Sequence, residues 1–170
     1  MDAVTRFSSA CGLVFAVSLA GGAAVAGGVG TVTSLPIPRF VSLRAEEANA
    51  RRGPSLDQRV DWEFVHQGLP LEVTAEYGQW RRVQDADGMG GWVHHALLSG
   101  VRTALVTATD PVPLRAGPED TAAVRGMAEP GAIGRLESCA GAWCEFGAGG
   151  VSGWLPRTVL WGVGPDETVK

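Results

Sequence analysis

Two segments of about sixty residues in this chain match one another at an offset near 63. A repeat of that length is one small folding unit used twice, so the fold must be built from two similar bodies. The matches fall at informative positions. Arg51, Gly53 and Pro54 answer to Arg115, Gly117 and Pro118, and Gly68 answers to Gly131. Gly78-Gln79-Trp80 answers to Gly141-Ala142-Trp143, and Gly91-Trp92-Val93 to Gly153-Trp154-Leu155. Ala96-Leu97-Leu98 answers to Thr158-Val159-Leu160, so the units also end alike. Ser99 to Arg102 is too short a connector to separate them, and the two units should touch.

Each unit carries short alternating apolar stretches, the mark of half-buried strands. Leu69, Leu71 and Val73 face one way between Pro70, Glu72 and Thr74. A turn over Glu76-Tyr77-Gly78-Gln79 leads into a returning strand from Trp80, and a second turn at Asp85 to Gly90 leads into Gly91-Trp92-Val93-His94. Glycine there admits close backbone approach beside a large ring. The 24 glycines and 10 prolines suit many turns rather than long helices. Only His95 to Leu98 and Arg157 to Leu160 suggest a single helical turn. The fold class is therefore all-β: two tandem small barrels, each of about five short strands.

The run Asn49-Ala50-Arg51-Arg52-Gly53-Pro54-Ser55, the Gly68-Leu69-Pro70-Leu71-Glu72-Val73 strand, Gly78-Gln79-Trp80 and Gly91-Trp92-Val93 together resemble the bacterial SH3-like domain. The second copy, from Leu114-Arg115-Ala116-Gly117-Pro118 to Leu160-Trp161-Gly162-Val163, is similar to the paired form found in exported proteins. The resemblance covers roughly residues 40 to 162. It implies SH3-like barrels, a periplasmic or secreted location, no catalytic activity and no cofactor. It also implies a binding role at the cell envelope, with peptidoglycan as the partner or, alternatively, an envelope protein for which this chain is an adaptor. Gln58-Arg59-Val60 departs from the family pattern, in which an aromatic and a proline often precede the valine.

Residues 1–26 read as an export signal: Arg6, then an uncharged stretch with Leu13, Val14, Phe15, Val17 and Leu19, then Ala24-Val25-Ala26 as a small-x-small cleavage site. The alternative is an uncleaved anchor, since about 20 uncharged residues can span a bilayer. Cys11 lacks a lipoprotein context. The expected organisation is a signal peptide over 1–26, a flexible linker over 27–39, a first module over 40–99, a second over 103–162 and a tail over 163–170. Loss of Asp2 and Arg6 together leaves the net charge at −4. Without a basic footprint neither nucleic acid nor, after signal cleavage, an anionic membrane surface is an expected partner.

Cys139 and Cys144 flank Ala140-Gly141-Ala142-Trp143 and would face each other across a hairpin. In an oxidising compartment they should form a disulfide with a structural role. The first copy has Glu76 and Arg81 at those positions. An exposed ion pair there would contribute about 0 to 1 kcal/mol, leaving the first hairpin the less rigid. His94 and His95 should point to opposite sides of a strand end, which with His66 gives no metal-ligand spacing and no metal site. No nucleophile stands with its base in a known context, so the chain is not expected to be an enzyme.

Trp80, Trp92, Trp143 and Trp154 recur at equivalent positions and are assigned to the core. Trp62 and Tyr77 have no aromatic counterpart and are placed in a long connection and a hairpin tip, where ligand contacts are commonly displayed. With Asn49, Arg51 and Asp57 they form the candidate ligand-binding set. Asn49 is replaced by Pro113 in the second copy, which puts the expected site in the first.

Overall fold

The computed structural model describes residues 27–169, so the expected signal over 1–26 lies outside the described residues. An N-terminal arm contains β1 (Gly28–Val29) and β2 (Pro36–Ile37), paired antiparallel. The first barrel is built from β3 (Arg39–Leu43), β4 (Ala48–Arg51), β5 (Val60–Phe64), β6 (Pro70–Tyr77), β7 (Trp80–Gln84), β8 (Gly90–His94) and β9 (Leu98–Ser99). The second consists of β10 (Thr103–Val106), β11 (Val112–Arg115), β12 (Val124–Ala128), β13 (Ile133–Ala140), β14 (Trp143–Ala148), β15 (Val151–Pro156) and β16 (Leu160–Trp161). Their strand orders, β5-β4-β8-β7-β6-β3-β9 and β12-β11-β15-β14-β13-β10-β16, are the same order carried forward one module. The repeat in the sequence is thus a repeat of topology, with the 3-10 turns His95–Leu97 and Arg157–Val159 also in equivalent places.

The local chemistry matches the elements. Gly78 and Gly141 hold φ of +49° and +56° in the two-residue turns between Tyr77 and Trp80 and between Ala140 and Trp143. That region favours glycine because no Cβ crowds the following carbonyl. At Gly91 a Cβ would meet the Arg51 carbonyl oxygen at 2.6 Å, and at Gly153 the Arg115 oxygen at 2.8 Å. Both glycines therefore let β4–β8 and β11–β15 cross closely.

Each barrel has its own core. Leu43, Phe64, Leu71, Val73, Val83 and Val93 fill the first, and Val106, Leu114, Leu136, Phe146 and Leu155 belong to the second. The four repeated tryptophans are not among them: all are half-buried. Strand parity is the reason, since Arg81 and Val83 turn inward on β7 and leave Trp80 on the outer face, while Cys144 and Phe146 do the same to Trp143.

Two further expectations change. Residues 27–39, expected as a flexible linker, fold as the β1–β2 hairpin against the first barrel. Glu76 and Arg81, expected as an exposed pair, are both buried. Glu76 accepts hydrogen bonds from the Val32 amide at 3.0 Å, the Thr33 amide at 2.9 Å, the Thr33 hydroxyl at 2.6 Å and Arg39 at 2.6 Å, with Arg81 Nε at 3.5 Å. Burial pushes the Glu76 carboxyl up, but the Thr33, Arg39 and Val32 donors outweigh it and lower its pKa to about 2. The C-terminal tail packs on the second barrel: Val163 and Val169 join its core and the Cys139 amide donates to the Val169 carbonyl at 3.1 Å. The Cys139–Cys144 disulfide does form, with Cα atoms 4.1 Å apart. The modules touch through an edge-to-face contact of Phe40 with Trp161, centroids 5.1 Å apart, with the Arg102 guanidinium over the Phe40 ring.

Candidate functional site: the outer groove of the first barrel

Residues that alternate away from the first core line up on one outer face. Cross-strand registers place Asn49 beside Glu63, Arg51 beside Trp92 and Trp80 beside His94. Of these, Asn49, Arg51, Glu63, Trp80 and His94 enclose a groove of about 260 Å³, walled also by Glu47, Leu56 and Leu97. The His94 ring stands edge-to-face on Trp80 with centroids 5.6 Å apart, and its Nδ1 accepts from the Ala96 amide at 3.3 Å. That bond fixes the ring orientation and leaves Nε2 as the nitrogen for contacts outside the turn. His95 follows with its ring 5.0 Å from that of His94, because the strand gives way to a 3-10 turn rather than continuing to alternate. Among the described residues, no three His, Cys, Asp or Glu side chains group as possible metal ligands.

Arg51 lies in the groove wall, but its guanidinium is committed. Nη1 donates to the carbonyls of Leu56 at 3.0 Å and Gln58 at 2.7 Å, clipping the loop that follows β4. Arg115 repeats this by donating to the Ala122 carbonyl at 3.0 Å. The repeated arginine is therefore a loop clip in both barrels.

Of the five residues singled out from sequence, the structure brings Asn49 and Arg51 together. Asp57 sits in the clipped loop with its carboxylate accepting from the Ser55 hydroxyl at 3.3 Å. Trp62 is not in a connection but on β5, beside Ala50 and on the opposite face from Glu63. Tyr77 is at the β6–β7 tip, 64% exposed and outside the groove lining. Glu47, Glu63, Trp80 and His94 were outside the ligand-binding set expected from sequence, Trp80 having been assigned to the core, though a signal for Glu63 and His94 was available in the repeat. At the places of Asn49, Glu63 and His94 the second barrel has Pro113, Met127 and Pro156, around the same tryptophan, Trp143.

Two tandem β-barrels of one topology, with polar residues on the outer face of the first and Pro113, Met127 and Pro156 at the matching places of the second, define a paired SH3-like module. A family described as Bacterial SH3 domain matches residues 44–100 and 108–162, and the chain belongs to that family. No curated protein matches it. Among solved structures, NlpC2 from Trichomonas vaginalis is similar at 8% identity and a TM-score of 0.35, over 73% of this chain and 48% of that one. NlpC1 from the same organism is similar at 9% identity and a TM-score of 0.35, over 78% and 48%. The chain thus spans about half the length of either. Among the described residues, no helix is long and apolar enough to cross a membrane.

Proposed function

We propose that the chain is a non-catalytic binding protein of the cell envelope, periplasmic or secreted, whose first barrel takes peptidoglycan stem peptides in its outer groove. The observation that carries this reading is the asymmetry between copies. Barrels of one topology keep the tryptophan, the arginine clip and the close-packed glycine in both, and differ where a ligand would need polar partners. Glu47 and Glu63 bring two carboxylates to the groove, while Arg51 is turned to its loop, so the groove favours a ligand bearing an amine. Stem peptides offer amines, amides and apolar side chains in an extended backbone, and Trp80 supplies the flat apolar wall. The family membership supports a role outside the cytoplasm and without chemistry.

Sedimentation with purified peptidoglycan tests the reading. The native protein should pellet, Glu63→Gln and Asn49→Ala should stay largely in the supernatant while folded, and Pro156→Ala should behave as native. Acetylating the amines of the peptidoglycan should release the native protein. Failure of the native protein to pellet across salt and pH would remove wall binding and favour the adaptor reading. That second reading has its own support in β5, an edge strand with Val60 40% and Trp62 38% exposed, onto which a partner protein could dock.

A further inference from the structure

The junction of the two barrels holds a second cleft, separate from the groove and about 660 Å³ in volume. Its apolar walls come from Leu35, Pro36 and Pro38 of the arm, from Phe40 and Trp161, and from Pro165 of the tail. Arg39 and Arg102 also line it. Among the described residues, the buried side-chain polar atoms without a hydrogen-bond partner are Arg39 Nη1, Arg102 Nε, Thr103 Oγ1 and Trp161 Nε1. Three of those four belong to side chains lining this cleft, and all three are N–H donors.

The acceptors around them are already taken. Glu76 holds Arg39, Glu167 holds Arg102, the Gly162 carbonyl accepts from Arg102 Nη2 at 2.6 Å, and Glu72 accepts from the Gln84 amide at 2.8 Å. Arg39 and Arg102 are balanced in charge by Glu72 and Glu167, so the lining exerts no net pull on an anion. What such a cleft lacks is a neutral, apolar ligand that brings acceptors and few donors of its own. A peptide containing proline has that character, since each proline contributes a carbonyl and no N–H.

We infer that the inter-barrel cleft binds an extended, proline-containing peptide segment, with the Trp161 indole N–H donating to one of its carbonyls. The unpartnered donors are sealed from water, so a carbonyl reaches Trp161 only as the arm and the tail move apart slightly. This inference does not rest on the groove of the first barrel.

The test is a nitrogen-15 spectrum of the indole N–H groups of the full chain, with the Trp161 signal assigned by Trp161→Phe. The probe is an N-acetylated, C-amidated hexapeptide alternating leucine and proline, and the control replaces each proline by alanine. The Trp161 signal should move saturably with the proline peptide, and at least tenfold higher concentrations of the alanine peptide should be needed. Leu35→Trp, which fills the rim from a half-exposed position, should weaken binding at least tenfold with the other indole signals in place. If that variant unfolds, the comparison of the two peptides decides alone. No movement of Trp161 up to millimolar peptide, equal response to both peptides, or movement confined to Trp80 would overturn the inference.

Discussion

Replacing Glu76 by glutamine keeps the shape of the side chain and removes the charge on which the arm converges. The carboxyl has a pKa of about 2 in the folded chain against 4.5 ordinarily. At about 1.4 kcal/mol per unit, that difference corresponds to about 3 kcal/mol of folding free energy. The side chain is fully buried, so solvent screening does not erode this figure as it would for a surface pair. Because the folded value is the lower one, the stabilisation is complete above 4.5 and is lost as pH falls from there towards 2. Urea unfolding of native and Glu76→Gln proteins from neutral pH downwards should therefore show a gap of about 3 kcal/mol that closes through that window. In the same variant the Val32 and Thr33 amides, which donate to Glu76, should lose protection from exchange. A gap under about 1 kcal/mol at neutral pH, or one of constant size on acidification, would refute the assignment of Glu76 as the arm's anchor.

Two further perturbations probe the same hairpins and crossings. Removing the Cys139–Cys144 bond by a double alanine substitution opens a loop of sequence separation 5. On the chain-entropy account it should cost about 2 kcal/mol in urea unfolding. Faster exchange of the Cys139 amide should accompany it as the tail loosens. Gly91→Ala must push a Cβ against the Arg51 carbonyl at 2.6 Å, a backbone atom that cannot rotate away. A loss of about 1 to 3 kcal/mol in thermal or urea unfolding is expected, where an alanine at an open glycine would cost less.

The repeat made the two-barrel, all-β organisation legible, because turn glycines, tryptophans and the repeated arginine recur at matched offsets. The strand count was not, since each barrel has seven strands where about five were expected, the two-residue last strands among them being too short to show alternation. The disulfide was legible from the repeated turn, as a two-residue turn puts Cys139 opposite Cys144. Burial was harder to read. A tryptophan is apolar enough to suggest a core, but the parity of β7 and β14 is set by which neighbours turn inward, and Arg81 does so only because Glu76 is there to meet it. The environment of Glu76 was out of reach, since the Val32, Thr33 and Arg39 donors lie 37 to 44 residues away in a stretch whose Gly, Thr, Ser and Pro composition suggests a spacer. The site was half legible: Asn49 announced itself by its replacement with Pro113, and the same comparison applied to Glu63 and His94 would have drawn the rest of the groove. Trp62 and Tyr77 were singled out for lacking a counterpart, which marks a difference between the copies without locating it on one face.

The two cores also differ in a way that looks like unrelated substitution along the chain and is coupled in space. Phe64 on β5 corresponds to Ala128 on β12, and Val83 on β7 to Phe146 on β14, so the buried phenyl ring comes from the edge strand in the first barrel and from an inner strand in the second. Leu71 correspondingly becomes Gly134, where a Cβ would lie 2.4 Å from the Phe146 ring. A packed interior has a fixed volume, so the ring can move only if its neighbours shrink. Installing the first arrangement in the second barrel tests that coupling. Phe146→Val alone leaves a cavity and Ala128→Phe alone overfills, each costing about 1 to 3 kcal/mol in urea unfolding. The double variant should cost less than the sum by at least about 0.5 kcal/mol, the coupling expected of residues sharing one core. Strict additivity would mean that the two positions do not compete for the same space, and that the exchange of ring positions between the barrels has no packing cause.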